Sequence, residues 1–83
     1  MSKSPTIIEI TWQDSISEQG WQTLEDAKHK AATEPNTYHS VGYLIDDTPT
    51  YTLIALSRNQ DATYLDQTLQ IPAAAIITTR TLT

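Results

Sequence analysis

The sequence predicts a mainly β protein: a small five-stranded barrel with one short helix between strands 1 and 2. Three observations carry this expectation. Short runs rich in Ile, Val, Thr and Tyr recur between polar turns, which suits a pleated, half-buried surface. Only one stretch, after Thr23, has the chemistry of a helix start. Near the C-terminus, Gln70-Ile71-Pro72-Ala73-Ala74-Ala75-Ile76-Ile77 reads as a strand end, a proline-started single turn and a new strand.

Ile7-Ile8-Glu9-Ile10-Thr11-Trp12 forms the first strand, with Ile8, Ile10 and Trp12 on one face. Gln13 to Gly20 is polar and reads as a loop. Thr23 is placed to cap a helix over residues 24–32, with Asp26 at the third position of an approximate capping box. Glu25 and Asp26 lie where the helix dipole favours acid, and Lys28, His29 and Lys30 follow toward the other end. Leu24, Ala27, Lys28 and Ala31 give a narrow apolar stripe, and Pro35 stops the helix.

Tyr38 to Ile45 alternates, with Val41, Tyr43 and Ile45 on one side and Ser40, Gly42 and Leu44 on the other. Asp46-Asp47-Thr48-Pro49-Thr50 is a turn by composition. Tyr51 to Arg58 is the returning strand, apolar on both faces. Asn59 to Asp66 is a polar loop carrying Tyr64. Thr68 to Ile71 makes the fourth strand, and Ile76 to Leu82 the last. Gly42, inside a strand, marks a bend or a close approach by Trp12 or Trp21.

The chain has 83 residues, 39% of them hydrophobic, which supports one domain over residues 1–83 with a flexible tail at 1–5. So small a core makes homo-oligomerisation an expected supplement, because there is no cysteine for disulfides or thiolate metal sites. No apolar run is long enough to span a membrane, and the first residues lack a signal-peptide core. The expected location is therefore the cytoplasm, with no membrane partner. The formal net charge of −5, with only five Lys and Arg, argues against a bulk nucleic-acid partner, which would demand a basic face.

The frame Trp12-x-Asp14-Ser15, Gly20-Trp21, Ser40-Val41-Gly42-Tyr43-Leu44 and Ile71-Pro72-x-x-x-Ile76 resembles a group of small phage and prophage proteins of unassigned function. The resemblance covers most of residues 10–82. The joint before the last strand is also similar to the end of SH3-like and Sm-like barrels. The phage resemblance implies an accessory protein acting in a bacterial host cell, where such proteins often counter host defence by sequestering a nucleotide signal or by binding a defence protein. It brings no catalytic motif with it.

The residues themselves point to binding rather than catalysis. His29 and His39 have no partner at metal-ligand spacing, and Ser15 lacks the strand–turn–helix setting of a nucleophile. Asp46 and Asp47 are ordinary turn residues. No catalytic residue, metal or cofactor is assigned; a hydrolase would need a pair assembled from distant positions, such as His39 with Asp14. Two Trp and four Tyr in so short a chain suit half-buried walls and interfaces. Trp12 and Tyr43 have core filling as their plainer role, whereas Trp21 and Tyr64 flank loops and suit recognition. Arg58 and Arg80, the only arginines, have the fork that grips phosphate, or are simply solvated strand residues.

The expected ligand-binding set is Trp21, Tyr64, Arg58, Arg80, Trp12, Asp14, Ser15 and His39. The leading expectation is a non-enzymatic phage protein that sequesters a nucleotide immune signal, by aromatic stacking on the base and arginine contacts to phosphate. An acidic inhibitor of a host defence protein stands close behind, and an Sm-like nucleic-acid binder is the weakest of the three.

Overall fold

The Ile-rich run near the N-terminus and the Tyr- and Ile-rich runs after it form strands because β-branched side chains pack well on a pleated surface. In the computed structural model, which describes residues 5–15, 17, 19–33 and 35–82, these runs form β1 (Ile7–Gln13), β2 (Thr37–Asp47), β3 (Tyr51–Arg58), β4 (Leu65–Pro72) and β5 (Ile76–Thr81). One helix, α1 (Leu24–Thr33), lies between β1 and β2, and a single 3-10 turn, Ala73–Ala75, joins β4 to β5. The expected flexible tail at 1–5 falls, except for Pro5, outside the described residues.

All five strands belong to one antiparallel sheet of order β4-β3-β2-β1-β5. Among the described residues no ladder joins β4 to β5, so the expected barrel is corrected to an open sheet. The sheet is nevertheless strongly coiled, and the chain shows why. Laid flat, five strands set the outer two about 19 Å apart. The four steps from Pro72 to Ile76 reach at most about 14 Å even when extended. The turn at Ala73–Ala75 can pass from one edge to the other only if the sheet curls. Pro72 fixes φ at −57° at the entrance to this turn.

β2 is the shared strand. Its residues from Thr37 to Tyr43 pair with β1, and those from Tyr43 to Asp47 pair with β3, with an irregularity between Leu44 and Asp46. Gly42 sits at this changeover. A Cβ there would lie 2.9 Å from the Ala55 carbonyl oxygen and 3.2 Å from Ile54 Cβ. The close approach is thus by β3, not by Trp12 or Trp21 as the sequence suggested.

The core is Ile8 and Ile10 from β1, Ile54 from β3 and Ile71 from β4, with Trp12, Leu44, Ala75 and Ile76 packed against it. Tyr43 is only half-buried and lies beyond this cluster, between Ile7 and Ala55. Strands 2 and 4 run longer than their sequence patterns suggested, because ladder pairing carries the polar Asp46, Asp47 and Asp66, together with Leu65, into the sheet.

The segment between β1 and β2 behaves differently. α1 buries none of its residues. The radius of gyration is 16.7 Å, against about 12 Å for a compact chain of this length. The described residues between β1 and β2 form an arm that stands off the sheet rather than a layer that covers it.

Candidate functional site

The root of the arm is firmly tied. The Asp14 N–H donates to the Asn36 carbonyl (3.0 Å), and Asn36 Nδ2 donates to the Asp14 carbonyl (3.1 Å). Just inside, Trp12 and Tyr38 are cross-strand partners with ring centroids 5.5 Å apart, a favourable aromatic separation. Trp12 Nε1 donates to Ser40 Oγ at 3.0 Å, so its polar edge is satisfied within the fold. Thr11 Oγ1 and His39 Nδ1 are 3.0 Å apart on the opposite face.

Four of the expected binding residues therefore have structural duties. Trp12 is half-buried against the core. The Asp14 carboxylate accepts the Ser15 N–H at 2.8 Å and shapes the exit from β1. His39 is bonded to Thr11, and no hydrogen bond joins it to Asp14 among the described residues. Among the described residues no group of three or more His, Asp or Glu converges as a metal site.

The arm carries Trp21, the most exposed large side chain among the described residues. Trp21 has 104% relative exposure and Leu24 has 70%. Thr23 Oγ1 accepts the Asp26 N–H at 3.1 Å, which is the expected helix cap. Gly20, at φ +88°, supplies the left-handed residue that leads into Trp21. The sequence places Leu24 in a narrow apolar stripe, and such a stripe ordinarily packs on a surface. The structure offers it none within the fold.

A second feature lies at the β3–β4 connection. Ser57, Arg58, Asn59, Tyr64, Leu65 and Asp66 line a shallow cleft of about 190 Å³. It brings together two expected residues, Arg58 and Tyr64. The Arg58 guanidinium, however, donates to the carbonyls of Asn59 and Gln60, which holds the loop rather than a ligand. Asp66 in the same cleft opposes an anion. Arg80, on β5, is 3.1 Å from Glu9 on β1, with Glu9 its cross-strand neighbour. The two arginines belong to different halves of the coiled sheet and are each already engaged.

Two acidic hydroxyl pairs close the β2–β3 turn. Tyr51 Oη donates to Asp46 Oδ2 at 2.8 Å, and Thr52 Oγ1 donates to Asp47 Oδ1 at 3.0 Å. The hydrogen bond to Asp46, its negative charge and slight burial together raise the Tyr51 phenol above its ordinary value. These contacts hold Asp46 and Asp47 at the end of β2, where both pair with β3, and not in the turn that the sequence suggested.

No family model, curated protein or solved structure matches this chain. The site must be read from its own geometry. Among the described residues no helix is long and apolar enough to cross a membrane.

Proposed function

We propose that this chain is a non-enzymatic binding protein whose arm captures a partner protein, in the role of an acidic inhibitor of a host defence protein. The observation that carries the reading is Trp21, fully exposed on an anchored arm beside the exposed Leu24. Tryptophan is the side chain that most often dominates a protein interface, and it does so by entering a pocket. A helix of 10 residues that buries nothing has little tertiary support. A partner groove would supply the missing face.

Charge supports the same reading. A net charge of −5 favours encounter with a basic target surface. The resemblance of the sequence frame to phage accessory proteins supports a bacterial host protein as that target, met in the cytoplasm. The coiled sheet serves as a rigid base, which we read as an SH3-like or Sm-like barrel left open along one side.

The test compares wild type with the double variant Trp21→Ala/Leu24→Ala. Each host protein captured by the wild type is purified, and its affinity for both forms is measured. Loss of two buried anchors should weaken binding at least about 100-fold. Equal affinity of the double variant would sink the proposal.

A nucleotide ligand is the second reading, favoured by one observation: the cleft that joins Tyr64 to Arg58. Native mass spectrometry with a panel of cyclic and ADP-ribose-type nucleotides separates the two. Intact nucleotide retained by wild type and lost on Tyr64→Ala would replace the protein target with sequestration of a signal.

A further inference from the structure

The two edges of the sheet are built differently. β4 is an edge with the usual defences against pairing. Asp66 sits near its start, Gln67 has a left-handed φ of 52° that breaks the straight run, and Pro72 removes a donor at its end. Charge, kinks and proline are how edge strands avoid neighbours. β5, Ile76–Thr81, has neither a proline nor a left-handed residue. It is rich in β-branched residues, and its one charge, Arg80, is paired with Glu9 on β1 while its side chain stays exposed. Ile77 and Leu82 are 52% and 43% exposed along it.

Among the described residues β5 pairs on one side only, with β1. The Leu82 N–H donates to the Ile7 carbonyl at 2.8 Å, which fixes the parity of the ladder. In antiparallel pairing, alternate residues turn their backbone groups to the same neighbour. Arg80 and Thr78 therefore face β1, and Thr79 and Thr81 direct their N–H and C=O groups outward.

We propose that β5 is a self-association edge, on which β5 of a second copy pairs antiparallel about a two-fold axis at Thr79, joining two sheets into one of ten strands. A two-fold axis needs a residue that can exchange both backbone bonds with its own twin, and Thr79 has the required parity. This register sets Thr79 opposite Thr79, Arg80 opposite Thr78, and Leu82 opposite Ile76 of the second copy. Threonine pairs and an apolar pair are favourable across strands. The alternative centre at Arg80 would place two arginines face to face, which is unfavourable. Pairing also covers Ile77 and Leu82, which a core of so few buried residues leaves in water. The arm takes no part in this contact.

The test exploits the absence of cysteine from the chain. The twin Cα atoms of such a pair lie about 5.5 Å apart, within disulfide reach. Thr79→Cys should oxidise to a covalent dimer, whereas Tyr64→Cys, in the β3–β4 loop, should not. Sedimentation equilibrium should find wild type as a dimer of 9.3 kDa chains. Thr79→Pro removes an outward donor and spares the bonds to β1, so it should give a folded monomer by circular dichroism. If that variant does not fold, Ile77→Lys, a charge on the exposed edge, should give the same loss of dimer. A wild type that stays monomeric at millimolar concentration would overturn the proposal. So would a dimer that survives both edge variants without cross-linking at position 79, or one that is lost on Trp21→Ala, which would place the interface on the arm.

Discussion

Ile10 in β1 has no exposed surface, and Trp21, in the connection that follows it, is wholly in water. Both are large apolar residues from one stretch of chain, and they meet opposite fates. Ile10 points inward in a strand paired on both sides, by Ser40 of β2 and Thr79 of β5. The ladder satisfies its backbone, and Ile8, Ile54 and Ile71 share its packing. Trp21 precedes a helix whose cap and dipole contacts are all local. The difference separates the part of the molecule that holds the fold from the part that, in the proposed function, meets a partner. The sheet holds the fold, and the arm leaves its apolar groups unspent.

The largest expected effect tests this separation directly. Ile10→Ala should cost about 2–5 kcal/mol of unfolding free energy, through lost transfer energy and a residual cavity. Trp21→Ala should change it by no more than about 0.5 kcal/mol, as for an exposed position without special contacts. Urea titration of both variants reads the contrast. A substantial destabilisation by Trp21→Ala would show that the arm folds back on the sheet in solution, and the comparison would fail.

Gly42→Ala comes next. The added methyl would press on the Ala55 carbonyl at 2.9 Å and on Ile54, both part of the β2–β3 ladder. Backbone cannot move aside as a flexible side chain can, so a cost of about 1–3 kcal/mol is expected. It should appear as a lower urea midpoint with an unchanged slope. If the midpoint stays put, the strand changeover at Gly42 has more room than its contacts indicate.

Much of this organisation was legible in the residues. The alternation in Tyr38 to Ile45 identified a strand, and Ile71-Pro72 identified the turn before β5, because proline fixes φ and cannot continue a ladder. Thr23 announced the helix. Sequence could not tell that the stripe of Leu24, Ala27 and Ala31 would find no surface, since periodicity reports which residues share a face and not what lies opposite. It expected a closed barrel because the joint before the last strand is similar to the end of SH3-like and Sm-like barrels, and the short joint curls the sheet without closing it. The roles assigned to Arg58 and Arg80 were also open in sequence. Their partners, the loop carbonyls after Arg58 and Glu9 beside Arg80, depend on loop geometry and register that residue type does not encode.

A smaller effect probes the arm itself. Thr23→Ala removes the oxygen that accepts the Asp26 N–H, a loss of about 1 kcal/mol to the helix. With no tertiary packing to share the loss, it should stay local. Amide exchange in α1 should quicken while exchange in β1 and β2 remains as in wild type. Equal acceleration in both would mean that arm and sheet open together, as one cooperative unit.

The smallest effect separates two meanings of a polar connection. The β3–β4 loop is as hydrophilic as the arm, yet it is internally bonded. Asp61 Oδ1 accepts both the hydroxyl of Thr63 (2.7 Å) and its N–H (3.2 Å), and Asn59 bonds to Thr63 and to the Tyr64 N–H. The Thr63 hydroxyl, then its N–H, hold the Asp61 carboxyl below its ordinary value of 3.8. A depressed folded-state value means that the carboxylate stabilises the loop above the unfolded value and ceases to do so as pH falls through the folded one. Carboxyl NMR should therefore find Asp61 titrating below an ordinary aspartate, and Thr63→Val should move it upward. Exchange at Thr63 and Tyr64 should quicken in that acid window, while the same Thr63→Val change leaves α1 untouched. An Asp61 that titrates at its ordinary value would show that the loop is no better bonded than the arm. Exposure alone would then set the two connections apart.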